Sequence, residues 1–184
     1  MELTAKGKKS LLDIVKTAIA AKVNNKEMPE LSVDSETLKE KRGAFVTLKK
    51  HGHLRGCIGY IKPVKALGET VQEMAIAAAF HDPRFPSLKR DEVQDLTFEI
   101  SVLSPLKRMK DIDEIEIGKH GLYVVRGYQS GLLLPQVAIE YKWDRETFLQ
   151  ETCYKAGLPP QAWRDQETEI YIFSADYFGD TDGR

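Results

Sequence analysis

Seven consecutive residues, Leu54-Arg55-Gly56-Cys57-Ile58-Gly59-Tyr60, bring together a thiol, a guanidinium and two glycines. A thiolate is a strong nucleophile and a soft ligand, and a nearby cation lowers a thiol's pKa. On a regular strand, Arg55 and Cys57 point to the same face. There, Arg55 can stabilise a thiolate or hold an anionic group with two hydrogen bonds. Gly56 and Gly59 can offer backbone N–H groups to the same anion. The competing reading makes Cys57 a small buried hydrophobe and the two glycines points of tight packing. The residue types alone leave both open.

A second polar group, His81, Asp82 and Arg84, follows an alanine-rich segment. His81 is the candidate general base for Cys57, because its intrinsic pKa of about 6.5 suits proton transfer near neutrality. Asp82 either orients His81 or pairs with Arg84. No triad follows from adjacency, since neighbouring side chains need not face the same way. His120 and Gln136 complete the ligand-binding candidates. Glu140 reads as solvated and Trp143 as packed on a sheet. Cys153 follows Phe148 and Leu149 at helical spacing and reads as core. His51 and His53 belong to a turn region. Neither they nor the cysteines show metal-ligand spacing, so no metal is expected. The cofactor is left unassigned.

These groups need elements to position them. Thr4 is a helix cap, with Leu3 as a possible staple, and the apolar residues of 11–23 recur at helical spacing. Residues 28–38 read as a connector. Strands are expected over 44–48 and 54–60, joined by a turn at 50–52. A helix over 65–80 ends at Asp82-Pro83. Alternation predicts a strand over 96–103, and 111–116 reads as a solvated connection. A second hairpin pairs 122–126 with 131–134. A helix over 145–155 stops at Gly157, a strand covers 169–173, and 180–184 reads as a frayed tail. Strands and helices interleave without βαβ repetition. The expectation is therefore α+β with a largely antiparallel sheet, one domain over 1–184 with a small lobe within it.

The chain has 184 residues, 42% apolar and 30% charged, enough to build a packed core. A net charge of -1 gives no protein-wide attraction for nucleic acid. The apolar run at 75–80 is far short of the ~20 residues a spanning helix needs, so no membrane association is expected and the reading is cytoplasmic.

The sequence resembles the AMMECR1-domain family. The likeness begins at Leu54-Arg55-Gly56-Cys57-Ile58-Gly59 and continues through Ala78-Ala79-Phe80-His81-Asp82-Pro83-Arg84-Phe85-Pro86. It resumes at Gly118-Lys119-His120-Gly121-Leu122, then Gly131-Leu132-Leu133-Leu134-Pro135-Gln136-Val137-Ala138, and closes with Cys153-Tyr154-Lys155-Ala156-Gly157-Leu158. The resemblance implies a larger and a smaller subdomain, with the first motif lining a functional surface. Bacterial and archaeal members resemble the A component of the three-part AmmeMemoRadiSam system, which implies a MEMO-like protein and a radical S-adenosylmethionine enzyme as partners. Two functional expectations follow. One is an enzyme, or enzyme component, using Cys57 in a small anion-accepting pocket. The other is a non-catalytic adaptor for one of those partners. A thiol redox sensor ranks third, because no resolving cysteine lies nearby.

Overall fold

Leu11, Val15, Ala18 and Ile19 recur at helical spacing and are fully buried in α1 (Ala5–Val23). The Thr4 hydroxyl accepts the Gly7 amide at 3.1 Å and caps the helix as expected. The computed structural model describes residues 3–31 and 36–180. The expected connector over 28–38 therefore lies partly outside the described residues; α2 (Glu36–Lys39) occupies its end.

The chain forms two units. The first takes the described residues up to Leu103 and again from Asp176; the second takes Ser104–Ala175. In the first, β1 (Ala44–Lys50) and β2 (His53–Tyr60) form a hairpin across His51 (φ 51°) and Gly52 (φ 81°). Two successive positive φ values define the turn type whose twist matches a two-residue hairpin. His53, read from sequence as part of the turn region, instead opens β2. β3 (Leu96–Leu103) pairs with the other edge of β1, giving the order β2-β1-β3 with antiparallel ladders. The pairing of Leu48 with Gly56 is followed by Lys49 with Leu54, so Arg55 is an extra, bulged residue.

One face of this sheet carries Val46, Leu48, Ile100 and Val102, all fully buried beneath α1 and α3 (Leu67–Phe80). The opposite face carries Thr47, Lys49, Cys57 and Glu99, all half-buried. Gly56 lies directly against α3; a Cβ there would collide with the Ala78 carbonyl oxygen.

In the second unit, β5 (His120–Arg126) and β6 (Gln129–Leu133) form a hairpin, and β7 (Glu169–Gly179) pairs with β5. β4 (Lys107–Arg108) pairs with β7. α5 (Arg145–Lys155) sends Phe148, Leu149 and Cys153 into a core with Leu122, Val124 and Ile172. Cys153 is fully buried, as its spacing implied. A short helix absent from the sequence reading, α4 (Pro135–Glu140), begins on Pro135, whose fixed φ suits a first helical turn. Leu132 and Leu133 before it complete β6. β7 extends beyond the expected 169–173 because its end belongs to the first unit. Asp180, read as tail, is tied down. It accepts the Phe98 amide at 3.0 Å and pairs with Lys16 at 2.5 Å. The other residues of that tail lie outside the described residues.

Both units run from a hairpin through helix (α3 in the first, α4 and α5 in the second) and a 3-10 turn (Arg90–Asp95 or Pro160–Arg164) to a strand returning to the hairpin's first strand. The fold is α+β with antiparallel ladders and packed helices, the first unit being the larger. Among the described residues no helix is long and apolar enough to cross a membrane.

Candidate functional site

β2 is the outermost strand of the first unit, so every second residue turns its N–H and C=O away from β1. Cys57 is one of these. Its N–H donates to Asp82 Oδ2 at 2.9 Å, and its carbonyl accepts from Arg84 Nη2 at 3.2 Å. The two side chains thus occupy the place of a neighbouring strand and close the edge at this point. Asp82 and Arg84 are themselves joined. Arg84 Nε reaches Oδ1 at 3.0 Å and Nη2 reaches Oδ2 at 2.7 Å. Asp82 is buried just past α3, and these donors hold its carboxyl far below the ordinary carboxylate range, against the cost of burial. The sequence left open whether Asp82 serves His81 or Arg84; the contacts go to Arg84.

The Cys57 thiol is half-buried on the polar face of the sheet. Its hydrogen bond comes from Thr47 Oγ1, 3.1 Å from Sγ, on the paired residue of β1. Burial pushes the thiol pKa up; the Thr47 hydroxyl and the Arg84 charge pull it down but do not win. The neighbouring cation is Arg84, not the Arg55 that the sequence suggested. Lys49 and Glu99 form an ion pair at 2.6 Å on the same face.

Arg55 is committed elsewhere. Its Nε donates to Glu92 Oε1 at 3.1 Å, and its Nη2 donates to Glu92 Oε2 at 3.0 Å and to the Pro86 carbonyl at 2.9 Å. The residue is 8% exposed. Glu92 also receives Lys50 Nζ at 3.3 Å and the Lys89 amide at 3.0 Å. Its pKa is pushed down to about 2, chiefly by Arg55. The anion that Arg55 grips is therefore part of the chain. Gly56 and Gly59 serve packing: a Cβ on Gly59 would strike the Phe45 ring and the Ala44 carbonyl.

His81 ends α3 and is exposed; it borders a hollow beside Ile58, on the face of β2 opposite Cys57. The structure thus gathers Arg55, Cys57, Asp82 and Arg84 around one stretch of β2 and places His81 on its other side. His120 and Gln136 belong to the second unit. His120 Nδ1 accepts the Glu116 amide at 3.1 Å, and Gln136 is exposed on α4. Among the described residues, no cluster of three His, Cys, Asp or Glu side chains is placed to hold a metal ion.

Sequence reading missed Thr47 and Glu92. Thr47 could have been found by pairing the two strands across their turn. Glu92 lies 37 residues from Arg55, and no local pattern joins them.

Comparison with known proteins places the chain in a family. The family model AMMECR1 matches residues 12–178. A Methanopyrus kandleri protein is 43% identical, covering 96% of this chain and 90% of its own length. A Methanothermobacter thermautotrophicus protein is 45% identical, covering 92% of each. The crystal structure of uncharacterized protein PH0010 from Pyrococcus horikoshii superimposes with a TM-score of 0.87 at 41% identity, covering 93% of this chain and 90% of that one. A family match across nearly the whole length, with relatives this similar over nearly their whole length, makes the chain a member of the AMMECR1 family.

Proposed function

We propose that this protein is a recognition component, with its working surface on the Cys57 face of the first unit. The observation that carries this reading is that the motif's charges are spent on one another. Arg55 holds Glu92, Asp82 holds Arg84, and burial pushes the thiol pKa up. Such a network shapes a surface and fixes its edge; it leaves no activated nucleophile or free bidentate cation. The exposed side of Arg84 and the half-open Cys57 remain for a partner. The family resemblance supplies the candidates, a MEMO-like protein or a radical S-adenosylmethionine enzyme from the same organism.

Cysteine footprinting tests this. The alkylation rate of Cys57 is measured alone and with each purified candidate, with buried Cys153 replaced by alanine. Protection of Cys57 by one of them is the expected result. Unchanged labelling by both, with no association in sedimentation, overturns the reading.

The Thr47 hydroxyl favours a second reading. A donor aimed at Sγ stabilises a thiolate once one forms, so Cys57 could serve as a nucleophile in an enzyme component, with an anionic substrate meeting Arg84. In that case Cys57→Ser removes turnover in the reconstituted system and keeps partner binding.

A further inference from the structure

On the far side of β2 from Cys57, Ile58 and Tyr60 join α3 and Met28 around a hollow of about 600 Å³. That volume falls within the range of small-molecule sites. Its apolar wall includes Met28, Ile58, Met74 and Ile76. Its charged wall is unbalanced. Glu73 accepts from Lys65 Nζ at 2.5 Å and from the Tyr60 hydroxyl at 3.2 Å, so its charge is answered within the chain. Glu69 stands one helical turn earlier, on the same side of α3. It is exposed and lines the hollow, and its carboxylate makes no close ion pair among the described residues, meeting the Lys65 charge only at longer range. The wall thus carries two carboxylates for one ammonium, with the His81 imidazole also on its rim.

We propose that this hollow binds a small organic cation on a hydrocarbon stem, of the primary alkylamine class. The stem lies against the methionine and isoleucine side chains, where apolar area leaves water. The ammonium donates charge-assisted hydrogen bonds to Glu69 and to the free lone pairs of Glu73, beside the Tyr60 ring. Lys65 already holds an ammonium on Glu73 and shows which group that wall accepts. An anion is disfavoured because the one lysine present is paired with Glu73 and the wall's only other basic group is the His81 imidazole. The site is separate from the Cys57 face and stands whatever that face does.

The test is methyl NMR on the full chain with labelled methionine and isoleucine, titrated with n-hexylammonium, hexanol and hexanoate. The expected result is saturable movement of the Met28, Ile58, Met74 and Ile76 methyls with the ammonium. Hexanol should bind at least about fivefold more weakly and hexanoate weaker still. Glu69→Gln should weaken the ammonium about threefold to fivefold. Lys65→Met, which frees Glu73, should strengthen it by a similar factor. Both side chains are exposed at the rim, and methyls distant from the hollow report that each variant keeps its fold. Equal binding of the three probes, no saturable shift, or indifference to Glu69→Gln overturns the proposal. So does saturation of the same methyls by a lysine-containing peptide when hexylammonium fails, which would give the hollow to a partner's side chain.

Discussion

Arg55 and Glu92 meet side-on across 37 residues of sequence, Nε at 3.1 Å from Oε1 and Nη2 at 3.0 Å from Oε2. The arginine side chain is 10% exposed and the glutamate side chain 16%. Removing one member strands the other where water reaches it poorly. Glu92→Leu is therefore expected to cost about 3–5 kcal/mol in urea unfolding. The double variant Arg55→Met/Glu92→Leu should recover most of that loss. A single variant costing under about 1 kcal/mol would show that the pair is effectively solvated.

The same pair contributes to the acid sensitivity of the fold, with Asp82 and Glu114 among the other depressed carboxyls. The Glu92 pKa falls from its ordinary 4.5 to about 2 on folding, and the Asp82 pKa also falls. A depressed carboxyl pKa gives stability that is fully present above the unfolded value. It is lost as pH falls through the folded one, because the unfolded chain binds the extra protons. Unfolding midpoints should thus drop as pH falls from about 4.5 towards 2. Glu92→Gln should flatten that dependence. A profile identical to wild type would assign the acid sensitivity elsewhere.

Burial sets the direction for Cys57. In a Cys153→Ala background, its alkylation midpoint should lie above the value of about 8.5 for a free thiol. Thr47→Val should move the midpoint higher still, because it removes the hydroxyl that donates to Sγ. A wild-type midpoint below that of a free thiol would contradict the packing described for this face and favour the nucleophile.

Two glycines of the first hairpin should respond differently to alanine. Gly52 has a positive φ and open space around it, so Gly52→Ala pays only the left-handed conformation, about 1–2 kcal/mol. Gly56→Ala pushes a methyl into the α3 backbone, which cannot move away as a flexible side chain would. We expect a loss of about 3 kcal/mol or more, or failure to fold. Similar costs at the two positions would mean that β2 and α3 part easily.

Local signals carried much of this architecture. The Thr4 cap, the buried spacing of α1, the alternation of β3 and the two hairpins are legible because each depends on residues a few positions apart. α4 escaped because six residues give too little periodicity, although Pro135 marks its start. The candidate site was legible as a group of neighbouring residues rather than as a set of contacts. The sequence identified Arg55 and Cys57 but not what they touch. Strand alternation puts both on one face only if the strand is regular, and the bulge at Arg55 breaks that rule. The partner of Arg55 arrives from a 3-10 turn beyond α3, a closure that only tertiary packing defines.

The bulge acquires a further meaning when the two hairpins are counted outward from their turns. Lys50 with His53 corresponds to Arg126 with Gln129, and Lys49 with Leu54 to Val125 with Ser130. Leu48 with Gly56 then matches Val124 with Gly131, and both glycines abut the backbone that follows them, Gly56 at Ala78 and Gly131 at Ala156. In this alignment Cys57 falls opposite Leu132 and Thr47 opposite Tyr123, while Arg55 has no counterpart. The chain thus contains its own control. One hairpin is built without the arginine, with leucine for the thiol, and still seats its glycine against a helix terminus. Arg55 is the one residue of β2 that the second hairpin does without, and Cys57 sets a thiol where that hairpin sets a leucine.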